Sequence, residues 1–197
     1  MSLRTRFPEV ALFDLDGTLL DSAPDMLETV NVMRGRRGIA PMTLAQIRPV
    51  VSRGARAMAG TAFPGWSDAE VLAAVPEFLD IYARELGKHC KPFNGIPELL
   101  DALEAQGSRW GIVTNKPEKL ARDLMPMLHA ADAMKIAPDR CVYVGDDRRD
   151  IEAGRAAGMP TIAALWGYRV AGDEPGEWGA DVMIELPAEL MQPARWP

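Results

Sequence analysis

The stretch Val10-Ala-Leu-Phe-Asp14-Leu-Asp16-Gly17-Thr-Leu19 limits the fold more than any other in the chain. Its apolar run, Val10 to Phe13, reads as a short buried strand. The run ends in two carboxylates one residue apart. In an extended chain positions i and i+2 point the same way, so Asp14 and Asp16 can face one spot. Two like charges so close are costly unless a cation lies between them or one takes a proton. A hard divalent cation with oxygen ligands, Mg²⁺, satisfies both. Gly17 lets the backbone turn away at once. In open α/β sheets, ligands bind outside the carboxyl ends of the strands, where these aspartates would lie.

The full string Phe13-Asp-Leu-Asp-Gly-Thr-Leu19 resembles the first motif of the haloacid dehalogenase-like (HAD) hydrolases. Most of these are Mg²⁺-dependent phosphatases. The resemblance implies a Rossmann-like parallel-sheet core with a helical cap inserted after the first strand.

The order of elements agrees. Ser22 followed by Ala-Pro-Asp predicts an N-capped helix running to about Arg34, closed by Gly35 and Gly38. Thr43-Leu-Ala-Gln46 and Ser67-Asp-Ala-Glu70 have the form of capping boxes, and each predicts a helix start. Residues 22 to 90 are thus almost purely helical. Strands and helices then alternate. Ile96–Gln106 is an amphipathic helix and Arg109–Thr114 a strand. Pro117–Leu128, with Pro126 interrupting it, and Ala130–Ile136 are helices. Cys141–Gly145 is a strand and Asp150–Ala157 a helix. Thr161–Leu165 and Asp181–Ile184 are the last strands. Such alternation implies a parallel sheet covered on both faces. The division expected is a core of residues 1–20 and 92–197, with a cap of 21–91.

Composition narrows the class. The 197 residues are 48% hydrophobic and 25% charged, as in an ordinary globular chain. The net charge of -6 argues against a nucleic-acid partner. Arg34, Arg36 and Arg37 are expected in a solvated loop. No apolar run approaches the ~18 residues of a membrane span. The N-terminus lacks an apolar signal core, so a cytoplasmic location is expected. Cys90 and Cys141 suggest no disulfide framework, and His89 and His129 have no zinc-like spacing.

Three predicted strands end in polar clusters: Asp14/Asp16, Thr114/Asn115 and Asp146/Asp147/Asp150. In a parallel sheet these ends share one edge. The groups suit phosphoryl transfer. Asp14 is placed to attack phosphorus and form an aspartyl-phosphate. Asp16 can protonate the leaving oxygen and then activate water. Mg²⁺ held by Asp14, the Asp16 carbonyl and Asp146 would orient the phosphate, with Asp150 positioning the metal or its waters. The Thr114 hydroxyl and Asn115 N–H would hold phosphate oxygens.

The later stretches also resemble the HAD family. Val113-Thr-Asn-Lys116-Pro is similar to its second motif in the phosphoglycolate phosphatase-like form. Val144-Gly-Asp-Asp-Arg-Arg-Asp150 is similar to its fourth. Dehalogenating members lack the second aspartate, so Asp16 implies a phosphatase. Ser52-Arg53-Gly54 resembles the substrate-specificity loop of the cap, where Arg53 or Arg56 would pair a substrate carboxylate. Ser108-to-Pro117 and Ala164-to-Arg169 resemble a bacterial subgroup of phosphoglycolate phosphatases. Some of its members look like N-acetylmuramic acid 6-phosphate phosphatases. Trp166 and Tyr168 could reach the rim of the site, although packing is the commoner fate of such rings. The partner implied is a small phosphorylated metabolite, with no nucleic acid and no membrane.

One family motif is missing. Between the second and fourth motifs the family has an edge strand and then a lysine that neutralises the nucleophile and phosphate. Here Leu124 runs through Met-Pro-Met-Leu-His129 directly into the next helix, and Lys135 falls too late to serve. A strand with its loops needs roughly 10 to 18 residues. Either a segment is missing from this sequence, with a break expected at Pro126–Met127, or the protein lacks the strand and its lysine. Lys116 could partly compensate. A protein without that lysine could also survive as a silent binder with the same fold.

Overall fold

The computed structural model describes residues 5–124, 140–169 and 172–197. Its strands, in chain order, are β1 (Val10–Phe13), β2 (Leu20–Asp21), β3 (Lys91–Pro92), β4 (Arg109–Ile112), β5 (Cys141–Gly145), β6 (Thr161–Ala164) and β7 (Val182–Ile184). Five of them form one sheet in the order β4-β1-β5-β6-β7, and every neighbouring pair is parallel. Phe13 is in register with Ile112 on one side and Val144 on the other. The residues that follow these three strands therefore emerge together at one edge. Helices α5 (Ile96–Ala105), α6 (Glu118–Leu124) and α7 (Arg148–Ala156) connect the strands. A buried cluster that includes Phe13, Leu99, Leu103, Trp110, Val144 and Ile162 holds sheet and helices together. A fully buried Leu or Phe contributes about 1.5–3 kcal/mol relative to exposure.

Between β2 and β3 lie four helices: α1 (Ala23–Gly35), α2 (Leu44–Ile47), α3 (Gly54–Ala62) and α4 (Asp68–Glu85). This helical insert has a second buried cluster, with Val30, Met33, Met58, Phe78, Ile81 and Tyr82 among its members. The insert leaves and rejoins the sheet layer through a narrow neck. There β2 and β3 pair antiparallel, Leu20 against Pro92 and Asp21 against Lys91. The carboxylate of Asp25, fully buried, accepts hydrogen bonds from the N–H groups of Gly87, His89 and Cys90 at 2.6, 2.7 and 3.2 Å. It fastens the outgoing chain to the returning one.

Several local expectations change. Ser22 sits before α1, but its hydroxyl makes no cap bond and donates to Asp16 instead. The Ser67–Glu70 box does cap α4, with Ser67 N–H donating to Glu70 Oε2 at 2.7 Å. Helix α7 begins at Arg148 rather than Asp150, because the Asp147 side chain accepts from Arg149 N–H and so caps it. The basic run does not lie solvated in a loop: Arg36 and Arg37 both pair with Glu77 of α4, and Arg37 covers the rings of Phe63 and Trp66. Trp166 and Tyr168 pack. The Trp166 indole donates to the Thr18 carbonyl, and the Tyr168 hydroxyl donates to Asp21 and accepts from the N–H of Ala23. The predicted helix at 130–136, the interruption at Pro126, the break at Pro126–Met127, His129 and Lys135 all lie outside the described residues. Among the described residues, no helix is long and apolar enough to cross a membrane.

Candidate active site

The edge where β1, β4 and β5 end opens into a cavity of about 730 Å³ beneath the helical insert. Asp14, Asp16, Thr114, Asn115, Lys116, Asp147, Arg149 and Asp150 reach it from the sheet side, and Ser52, Arg53, Gly54 and Arg56 from the insert. Nearly all the predicted site residues thus converge. Met26, Val51, Phe78, Leu79 and Leu120 give the cavity an apolar wall.

At its floor, carboxylate oxygens of Asp14, Asp146 and Asp150 lie within 4.8 Å of one another. Asp146 and Asp150 are brought in by close backbone packing. A Cβ on Gly17, whose φ is +98°, would sit 2.3 Å from Asp146 Oδ2. A Cβ on Gly145 would meet the Cβ of Asp150 at 2.3 Å, and one on Gly167 would meet the Cβ of Asp146 at 2.2 Å. Asp146 is held from both sides, accepting from the Thr18 hydroxyl at 3.0 Å and from the Tyr168 N–H at 2.7 Å. Asp150 accepts from the Asp147 N–H at 3.1 Å and the Tyr143 hydroxyl at 3.3 Å.

Burial sets the electrostatics of this triad. It pushes the Asp14 carboxyl well above the usual range, and repulsion from Asp150, Asp146 and Asp16 adds to the push. Burial raises Asp146 too, against the opposing pull of the Tyr168 N–H, and it raises Asp150 to about 6. A cation among three carboxyls driven toward protonation offsets their repulsion and favours their ionising together. Hard oxygen donors of this kind fit a divalent cation. Asp147 stands apart. Burial would raise it, but the side chain and N–H of Arg149 win and hold it below the usual range.

Asp16 also departs from expectation. Strand β1 stops at Phe13, so the alternation that would aim Asp14 and Asp16 at one cation is broken in the turn that follows. The Asp16 carboxylate turns to Lys116, whose ammonium donates to Oδ1 at 2.9 Å and Oδ2 at 3.0 Å. That ion pair is buried on both sides, with side-chain exposures of 3% and 10%. Opposite sign at this distance keeps two buried charges in place. Thr114 accepts from the Lys116 N–H at 3.2 Å, which fixes the turn that carries the lysine inward. Arg149 bridges sheet and insert, binding both oxygens of Asp147 and donating to the Ser52 carbonyl at 2.8 Å. Neither Arg149 nor Tyr82, which also lines the cavity, was marked by the sequence reading.

Comparison with known proteins agrees with this architecture. The model of the haloacid dehalogenase-like hydrolases matches residues 8–158. The chain belongs to that family. It is 50% identical, over 98% of its length and 99% of the relative's, to a phosphoglycolate phosphatase of Xanthomonas campestris pv. campestris. It is 40% identical to an N-acetylmuramic acid 6-phosphate phosphatase of Pseudomonas aeruginosa, over 93% of each chain. A haloacid dehalogenase-like protein of Streptococcus pneumoniae superposes with a TM-score of 0.78 at 20% identity, covering 94% of this chain and 97% of that one, and so shares the fold. The Xanthomonas alignment spans 218 positions, whereas 98% of a 197-residue chain fills about 193, so roughly 25 positions hold no residue of this chain. That deficit is large enough to contain the edge strand and lysine missing between the second and fourth motifs.

Proposed function

We propose that the protein hydrolyses a small phosphomonoester with Mg²⁺ through an aspartyl-phosphate on Asp14, with phosphoglycolate as the leading substrate. The observation that carries this reading is the separation of labour on the cavity floor. Asp14 belongs to a buried carboxylate triad, while Asp16 stands beside it paired with a lysine. Asp14, Asp146 and Asp150 would hold Mg²⁺ with the Asp16 carbonyl, and the ion would supply charge neutralisation for an incoming phosphate. Asp14 attacks phosphorus as the substrate's P–O ester bond breaks, and Asp16, entering the step protonated, gives its proton to the departing oxygen. Water then attacks phosphorus, losing a proton to Asp16, as the bond between Asp14 and phosphorus breaks and phosphate leaves. The Thr114 hydroxyl and Asn115 N–H bind phosphate oxygens, and Lys116 contributes the positive charge otherwise lost with the missing motif. Residues 21–91 act as the cap, with Arg53 and Gly54 facing the substrate's remainder. A cytoplasmic site of action follows from the substrate class.

The cavity favours a second substrate reading. Its volume of about 730 Å³ falls in the range that accommodates much larger ligands than a two-carbon phosphoester. An N-acetylmuramic acid 6-phosphate would fill more of it and lay its sugar against Phe78 and Leu79. Phosphate release should be measured with Mg²⁺ on phosphoglycolate, N-acetylmuramic acid 6-phosphate, a hexose phosphate and an aryl phosphate. Turnover that Asp14→Asn abolishes supports the mechanism, and the best substrate decides between the two readings. No turnover of any of them by folded protein overturns the enzyme in favour of a silent binder.

A further inference from the structure

Tyr82 lies on α4 of the helical insert, 2% exposed, and its ring lines the cavity. Lys116 donates to its phenol oxygen at 2.6 Å, and the ammonium lies 4.7 Å from the ring centroid. An ammonium has three protons and can only donate. Two of those protons go to Asp16 and the third goes to Tyr82, so the lysine is fully engaged. The phenol is a different case. Its oxygen acts as acceptor toward Lys116, which leaves its own proton to donate elsewhere. Among the described residues that proton has no acceptor. A buried hydroxyl proton beside a cavity, polarised by a cation on its oxygen, is a hydrogen-bond donor prepared for a ligand.

Position decides which part of the ligand it meets. The bonds of 2.6 and 2.9 Å that share Lys116 Nζ keep the phenol oxygen within about 5.5 Å of Asp16 Oδ1. Asp16 is the group that protonates the leaving oxygen in the mechanism above. A donor so near to it, but reaching in from the insert, meets the leaving group rather than the phosphoryl group on the triad. We propose that Tyr82 is a specificity-determining residue that donates a hydrogen bond to an oxygen of the leaving group neighbouring the one Asp16 protonates. The proposal rests on the phosphatase reading. It selects phosphoesters of oxygen-bearing alcohols, such as hydroxy acids and sugars, over esters of plain alkyl alcohols, because only the former satisfy the phenol proton when water is displaced.

The test is Tyr82→Phe, which keeps the ring and its packing and removes only the hydroxyl; its melting temperature checks the fold. Wild type and variant are compared for kcat/KM on 2-phosphoglycolate and on propyl phosphate, which lacks the neighbouring oxygens. The expected loss is about tenfold greater on 2-phosphoglycolate than on propyl phosphate. An equal loss on both would reduce Tyr82 to a residue that positions Lys116 and overturn the proposal, as would no loss. A binding measurement separates this outcome from failure of the enzymatic reading. Isothermal titration with Mg²⁺ compares 3-phosphonopropionate with propylphosphonate, neither of which can be hydrolysed at an ester bond. Wild type should prefer the first and Tyr82→Phe should lose about tenfold of that preference. Absence of the preference in wild type, or its survival in the variant, overturns the inference whether or not turnover is seen.

Discussion

Asp25 offers the sharpest test of how the insert is anchored. Its carboxylate is wholly buried and receives three backbone N–H groups, one on Oδ2 from Gly87 and two on Oδ1 from His89 and Cys90. Asp25→Ala removes the acceptor for all three and leaves donors stranded near the neck. Unmet buried donors cost roughly 1–3 kcal/mol each, so a total of about 4 kcal/mol is expected after some hydration of the exposed positions. Asp25→Asn is the more informative change. Its remaining carbonyl can still serve His89 and Cys90, but its amide NH₂ then opposes the Gly87 N–H, donor against donor. The expected cost is about 2 kcal/mol, from one lost charge-assisted bond and one unpaired donor. Urea unfolding followed by tryptophan fluorescence would read this as a midpoint shift of about 1 M at an ordinary slope. The predicted order is wild type, then Asn, then Ala. An Asn midpoint indistinguishable from wild type, or an Ala variant no worse than Asn, would refute the idea that this carboxylate is the clasp between the two chain segments.

Other outcomes follow from the acid cluster. Gly17→Ala forces an L side chain into φ +98° and drives its Cβ against Asp146. Backbone strain of about 1–3 kcal/mol and displacement of Asp146 should lower the melting temperature and cut turnover at least 100-fold; near-normal turnover would show that Asp146 is dispensable. The raised pKa values of Asp14, Asp146 and Asp150 mean that the folded, metal-free protein holds protons the unfolded chain has released. For Asp150 this contribution to stability is complete below about pH 4 and is lost as pH rises through about 6; those of Asp14 and Asp146 are lost as pH rises through their own raised values. Stabilisation by added Mg²⁺ should grow over the same window, because binding displaces those protons. Thermal melts with EDTA and with Mg²⁺ between pH 4 and 8 measure both trends, and a Mg²⁺ effect of equal size at pH 5 and 7.5 would count against a metal on this triad.

The strand mouths were legible because they depend on local pattern. An apolar run of four to five residues that stops at an acid or a threonine marks both the strand and its functional end, and β1, β4 and β5 lie as that pattern requires. The glycines Gly17 and Gly145 could be read as turns, but their second purpose, making room for Asp146 and Asp150, depends on which strands become neighbours. Asp147 was grouped with the other acids by proximity in sequence. The capping demand of α7 took it instead, since the first N–H groups of a helix need an acceptor. Asp16 illustrates the same limit, because a period-two argument holds only while the chain stays extended. Tyr82, Arg149 and Asp25 were invisible for a further reason. A tyrosine in an amphipathic helix reads as packing, an arginine near an acid as surface and an early helical Asp as dipole chemistry. What distinguishes each is a partner 34, 97 or 62 residues away.

The paired strands β2 and β3 make the helical block detachable in principle. Chain exit and entry stand side by side, with Asp21 opposite Lys91, so a tight turn joining them would close the polypeptide without disturbing the five-stranded sheet. A protein built this way can exchange its helical insert while keeping its parallel sheet. Recombination at these two positions would need to preserve only the width of a hairpin, which makes the neck a natural graft point for exchanging helical inserts between relatives.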